Sequence, residues 1–193
     1  MQKSLKLAAL VLLTSCARPD HSPPSDLDDA CSIVRERPAY LQAMQATQSK
    51  WGIPVAVQMA TIYQESKFKA DARTPFRYAL GVIPMGRQSS AYGYAQALDA
   101  TWDEYRHETG NRRAKRNRIE DAVDFIGWYM NKSAQRNGIA KTDMRNQYLA
   151  YHDGHTGFAR GTYRRKSWLV RIADELTTRA NTYHAQLISC KRG

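Results

Sequence analysis

Nothing in the chain is long and apolar enough to span a bilayer: the apolar stretch at residues 7–13 falls well short of the ~20 residues that a transmembrane helix needs. There is also no convincing run of alternating apolar and polar residues, the mark of a half-buried strand, which argues against a sheet-based architecture. Internal repeats and low-complexity tracts are missing, which excludes a solenoid. Histidine is scarce at five residues and cysteine scarcer at three, so each can be weighed singly. Acidic residues are in deficit, 18 against 29 lysines and arginines. What is present is a chain of 193 residues with a hydrophobic fraction of 42%, enough to fill the core of one domain with some unstructured extra.

The N-terminus differs from the rest. Lys3 and Lys6 precede the short apolar run, which suits the h-region of an export signal. The run ends in Leu13-Thr14-Ser15-Cys16, which resembles a bacterial lipobox, with Cys16 as the lipidated new N-terminus; an ordinary signal peptide that carries a cysteine is the alternative. Ala17 after the cysteine, rather than Asp, resembles the outer-membrane sorting pattern, implying an anchor on the periplasmic face of the outer membrane. The polar, proline-bearing residues that follow cannot bury a core and read as a tether. The expected division is therefore a signal at 1–15, a lipidated tether at 16–36 and a folded domain at 37–193. Cys31 and Cys190 then form an even pair in an oxidising compartment. Because domain termini often lie close together, a Cys31–Cys190 disulfide is expected, with two free thiols as the alternative.

Removing Lys3 and Lys6 lowers the net charge from +11 to +9, so the exported chain would still seek anions. The basic runs at 112–118 and 164–166 would ordinarily suggest nucleic acid. An exported lipoprotein meets little of it, so nucleic acid is not expected as a partner. Wall carboxylates and anionic lipid head groups are the available ones, and a solvated loop with no partner is the plain alternative.

Periodicity predicts helices almost throughout. Pro38 opens one that stops before Gly52, and Pro54 opens another through Phe68, with Val55, Met59, Ile62 and Ser66 on one stripe. Residues 71–91, rich in proline, glycine and serine, read as a loop with room for a short hairpin. Asp99 is the expected cap of a short helix to about His107. A longer helix runs from Ile119 to Gly138, another from Thr142 or Asp143 to about His152, and a final amphipathic one from Ser167 onwards. The expected class is mainly α.

Glu65 falls near the end of the second helix, about 80° from the centre of its apolar stripe by the 100° step of a helix. A carboxyl on that rim would look into a cleft beside apolar packing, which raises its pKa and suits it to general acid work. A glutamate on a helix edge is more often simply solvated, and its neighbours have to decide. Residues 63–70, Tyr-Gln-Glu-Ser-Lys-Phe-Lys-Ala, are followed at 91–98 by Ala-Tyr-Gly-Tyr-Ala-Gln-Ala-Leu, then by the helix ending in Tyr129-Met130, then by Leu149-Ala150-Tyr151-His152-Asp153-Gly154. These four blocks, in this order across roughly residues 38–160, resemble the lytic transglycosylases of the soluble, goose-lysozyme-like kind.

The resemblance implies a lysozyme-like helical domain with a substrate cleft, no cofactor, and peptidoglycan strands as partner. Glu65 would be the catalytic acid and base, and Tyr151 would hydrogen-bond and orient its carboxyl. Ser66, Gln96, the backbone of Gly93, Tyr94 and Ala95, and His152 would contact the sugar. The bond cut would be that between N-acetylmuramic acid and N-acetylglucosamine, leaving a 1,6-anhydro end. Two departures bear on substrate fit: Tyr94-Ala95 stands where the family has Leu-Met, and His152 where it has Asn. Ordinary glycoside hydrolysis uses two carboxylates; the candidates for a second, Asp71, Asp99 and Asp103, lie in no nucleophile-like block, which favours the lyase over a hydrolysing lysozyme. An idle wall-binding lipoprotein is the reading from another class. His152, Asp153 and His155 could offer metal ligands, but no second half of such a site is evident and none is expected. A cell-wall or secretion machine is a further candidate partner.

Overall fold

The structure, a computed structural model, describes residues 22–190. The expected export signal and Cys16 lie outside the described residues. Seven α-helices follow in order among the described residues: α1 (Ala30–Glu36), α2 (Pro38–Trp51), α3 (Val55–Ser66), α4 (Asp99–Glu108), α5 (Ile119–Asn137), α6 (Met144–Ala159) and α7 (Ser167–Cys190). Between α3 and α4 lies an antiparallel hairpin of β1 (Phe76–Ala79) and β2 (Ile83–Arg87), so the loop at 71–91 does hold a hairpin. The chain is mainly α, as the periodicity predicts.

Helix α5 is the organising element, packed against α2 on one side and α6 on another, while α7 covers α3 and α6. Its approach to α2 is close. A Cβ added at Gly127 would lie 2.5 Å from Trp51 and 2.6 Å from Thr47, so a larger residue would push the two helices apart. Asp124 locks the same junction, accepting from the Trp51 indole at 2.7 Å, the Lys50 ammonium at 2.9 Å and the Tyr105 hydroxyl at 2.8 Å. Trp102, Tyr105, Phe125 and Trp128 fill the space below with edge and tilted ring contacts.

Two arginines of the basic run at 112–118, Arg116 and Arg118, are held by carboxylates, while Arg112, Arg113 and Lys115 are exposed. Buried Asp121 accepts from the Arg118 guanidinium at 2.7 and 2.9 Å and from the Lys115 backbone at 2.8 Å. Arg116 holds the Asp99 carboxylate at 2.7 Å and the Ala97 carbonyl at 2.8 Å. Asp99 is therefore not the cap of α4; Leu98 occupies that position, and the Asp99 side chain is drawn to Arg116 instead. Asp143 does cap α6, accepting from the Asn146 backbone at 3.0 Å. That helix continues past His152 to Ala159 across a break at Gly154 (φ 75, ψ 156), a conformation that glycine reaches without steric cost.

The tether boundary at residue 36 is too late. Residues 30–36 are helical, with Ala30 and Ile33 fully buried against α2 and α7. Polar composition hides a stripe of Leu27, Ala30 and Ile33 at three-residue spacing, and Asp29 caps the helix through the Cys31 backbone at 2.9 Å. Upstream, Arg179 holds Asp28 at 2.7 Å and the Tyr183 hydroxyl donates to the Leu27 carbonyl. Cys31 and Cys190 are joined in a disulfide, their Cα atoms 5.8 Å apart, which fastens α1 to the end of α7. With the half-cystines 159 positions apart in the sequence, the chain-entropy model puts the stabilisation at roughly 4–5 kcal/mol. Replacing Cys31 and Cys190 together by serine is expected to cost several kcal/mol in urea unfolding, with early loss of hydrogen-exchange protection in α1. An unchanged midpoint would show that the pair contributes nothing.

Candidate active site

Helix α3 is apolar nearly all round, because it runs through the core. Residues Ala56 to Ile62 are all buried, including Gln58, whose amide nitrogen is satisfied by the Met44 and Ile53 carbonyls at 3.0 and 2.8 Å. Gln48 supplies the missing cap by accepting from the Val55 backbone at 2.9 Å. The helix ends abruptly after Ser66, where Lys67 and Phe68 both take left-handed dihedrals (φ 51 and 59). Two such non-glycine residues in succession cost of the order of 1–2 kcal/mol each. Phe68 is fully buried and stacks on Tyr40 at 6.0 Å, and that burial holds the turn in place. Glu65 is thereby fixed in the last turn, its carboxyl half-withdrawn from solvent.

The Glu65 carboxyl accepts from the Tyr148 hydroxyl at 2.9 Å. Burial pushes its pKa up to about 7, while the Tyr148 bond and the Lys67 ammonium pull the other way. The Tyr148 phenol is itself driven far above its ordinary range by burial and by the Glu65 charge, so it remains a donor at any physiological pH. The site thus holds a carboxyl that is about half protonated near neutrality, with a fixed hydrogen bond aimed at one oxygen.

One turn further along α6, the Tyr151 hydroxyl donates to the Ala95 carbonyl at 2.6 Å, not to Glu65. The expected orienting bond from Tyr151 is therefore made by Tyr148. The two rings lie face to face, 6.5 Å apart and 17° from parallel, and the Glu65 charge acts on the Tyr151 phenol as well. Tyr148 lies three residues before Tyr151 and so shares its helix face, the one signal in the sequence that could have found it.

The segment at 93–96 is a brace. Gly93 (φ 80) runs so close to the Arg116 backbone that a Cβ would lie 2.1 Å from its carbonyl oxygen. The Gly93 N–H donates to the Ala72 carbonyl at 2.9 Å and the Tyr94 N–H to the Arg116 carbonyl at 3.2 Å. The Gln96 amide ties the loop again, donating to the Ala72 and Gly93 carbonyls at 2.9 and 2.8 Å. These groups are engaged inside the chain, so the backbone of Gly93 to Ala95 supports the loop that carries Gln96. Tyr94 is only 4% exposed and its hydroxyl meets that of Tyr40 at 2.8 Å, so it belongs to the core. Ser66, expected beside the substrate, is 5% exposed and back-bonds to the Ile62 carbonyl at 3.2 Å.

Gln96, Tyr151 and His152 do come together, lining a cleft of about 300 Å³ with Thr101, Tyr129 and Asp153. His152 meets the exposed Trp168 ring edge-on at 5.1 Å, and burial with the nearby Lys166 charge lowers its pKa, so it stays neutral to lower pH than an ordinary histidine. Asp153 is engaged by Lys166 and by the Thr162 hydroxyl at 2.6 Å, and the His155 ring stacks on Tyr129 at 4.3 Å. The exposed Asp99 and Asp103 side chains are paired with Arg116 and Arg106.

Glu65 does not itself line that cleft; it is tied to it through α6, whose Tyr148 holds the carboxyl and whose Tyr151 faces the cleft. Comparison with known families adds to this arrangement. The chain matches the model of the transglycosylase SLT domain over residues 4–190, nearly its full length. The protein belongs to the transglycosylase SLT family. No curated protein matches the sequence. Membership gives the SLT domain a lysozyme-like fold and peptidoglycan as the material it acts on.

Within this SLT domain the Glu65 carboxyl is expected to titrate near pH 7 by carboxyl carbon NMR. Tyr148→Phe removes a donor that favours the ionised form, so the midpoint should move upward. A wild-type midpoint in the ordinary glutamate range near 4.5, or a downward move in the variant, would contradict the burial and hydrogen bond described here.

Proposed function

We propose that the protein is a lytic transglycosylase that cleaves the β-1,4 bond between N-acetylmuramic acid and N-acetylglucosamine in peptidoglycan, forming a 1,6-anhydro end with Glu65 as its single acid and base. The observation that carries this reading is the state of Glu65. A pKa near 7 leaves the acid form abundant at neutral pH, able to protonate the glycosidic oxygen as the bond breaks. The resulting carboxylate then takes the proton of the muramoyl 6-hydroxyl, which attacks the anomeric carbon and closes the ring. Glu65 ends as it began and no water is consumed.

A nucleophile supplied by the substrate removes the need for a second carboxylate. Retaining hydrolases place theirs about 5–5.5 Å from the acid, where its charge would push the acid's pKa up strongly. Among the described residues, the charge that acts on Glu65 is the cation of Lys67, which pulls it down. Tyr148 supports the cycle by holding one carboxyl oxygen while the other exchanges the proton. Tyr151 supports it by pinning the Ala95 carbonyl, and with it the Gln96 loop, against the same helix. The Cys16 lipobox and the segment after it fit an enzyme held at the periplasmic face of the outer membrane, within reach of the wall, where a cell-wall or secretion machine could recruit it.

Digestion of purified peptidoglycan should yield muropeptides lighter by one water than hydrolysis products, and Glu65→Gln should lower cleavage by roughly 10²–10⁴-fold or more, since the amide can neither donate nor accept the proton. Reducing ends would assign a lysozyme, and sacculus binding without products would assign an idle wall-binding protein.

A further inference from the structure

The hairpin is the one part of the described chain whose large apolar side chains gather outside the core. Phe76, Tyr78, Leu80, Val82, Ile83 and Met85 are all exposed, Leu80 by 90% and Val82 by 76%. The strands pack chiefly on each other. A two-stranded hairpin of this kind is marginal in water and gains from whatever covers it. Leu80 (φ 51) and Gly81 (φ 76) make the tight turn that drives the tip outward, and Leu80 and Val82 flank it. Directly paired residues share a face, so Tyr78 and Pro84 lie on one face and Ala79 and Ile83 on the other. Apolar groups therefore surround the tip instead of lining one side.

That distribution selects the occupant. A glycan strand is polar, offers its few apolar faces to flat rings, and cannot bury Leu80, Val82, Ile83 and Met85. A protein partner, or a second copy, would cover one face and leave the other wet. An acyl-chain medium covers the tip all round. The order of residues along the hairpin fits the depth profile of a bilayer surface. Aliphatic residues occupy the tip, Tyr78 and Arg77 come next, and Phe76, Arg87 and Arg73 stand at the base. Aromatic rings favour the head-group level, and arginines among and behind them favour anionic lipid. Arg87 lies over the Phe76 ring at 4.3 Å, placing charge and ring at one level. We infer that the 76–87 hairpin is a membrane-contacting element that inserts its Leu80–Met85 tip among the acyl chains of an anionic bilayer. This is independent of how Glu65 acts, and also of the lipid on Cys16, which would hold the chain near a membrane without requiring the hairpin to enter it.

The test places an indole at the tip. Full-length Leu80→Trp and the parent protein are mixed with vesicles of phosphatidylcholine, alone or with added phosphatidylglycerol, prepared with and without brominated acyl chains. Bromine quenches only fluorophores within the hydrocarbon region. The added indole should shift to the blue and lose most of its emission in brominated vesicles that contain phosphatidylglycerol. The parent, whose tryptophans lie elsewhere, should change little. Adding Arg77→Glu should weaken the effect, as should salt, because the attraction of these arginines to the head groups is electrostatic. Equal quenching in variant and parent would overturn the inference. So would an indole that responds to peptidoglycan strands or to protein concentration rather than to lipid.

Discussion

A carboxyl placed among apolar side chains resists ionisation, and the surrounding structure determines by how much. In this protein the balance is struck at Glu65. Burial drives its pKa upward, while the Tyr148 hydroxyl and the Lys67 ammonium restrain it, leaving the group close to half protonated at neutral pH. The elements that create this state come from distant parts of the chain. Helix α3 supplies Glu65, α6 supplies Tyr148, and the left-handed turn at Lys67 and Phe68 fixes the end of α3 in place.

The rest of the domain can be read as support for that arrangement. Tyr148 and Tyr151 are adjacent on one face of α6; the first reaches back to the acid and the second forward to the Ala95 carbonyl, so one helix registers Glu65 against the loop that carries Gln96. The loop that carries Gln96 is in turn fastened to Ala72 and to the Arg116 backbone. Arg116 and Arg118 are partnered by Asp99 and Asp121, which accounts for two arginines of a run that composition alone would assign to a polyanion. Helix α5 holds α2 and α6 at fixed distances, Gly127 setting the closest approach.

Much of this was legible in the sequence because it is written in local rules. Pro38, Gly52, Pro54 and Gly138 mark helix limits, and the apolar stripes of α3, α5 and α7 follow the helical period. The rim position of Glu65 and the order of the four blocks sufficed to single it out. What escaped depends on three-dimensional burial. Helix α1 hides behind polar residues, since Leu27, Ala30 and Ile33 form too short a stripe to stand out. Ser66 and Tyr94 carry hydroxyls that look suited to a sugar yet are satisfied inside the core. Tyr148 stayed unseen because which tyrosine of the pair reaches Glu65 depends on the rotation and axial position of α6, which spacing cannot supply.

On the proposed mechanism one carboxyl suffices because the substrate brings its own nucleophile. Digestion of peptidoglycan in ¹⁸O-labelled water tests this without reference to any variant. If the muramoyl 6-hydroxyl closes the ring, the new glycan ends carry no label. Incorporation of one ¹⁸O at the anomeric carbon of each new end would show that water is the nucleophile and would contradict the account.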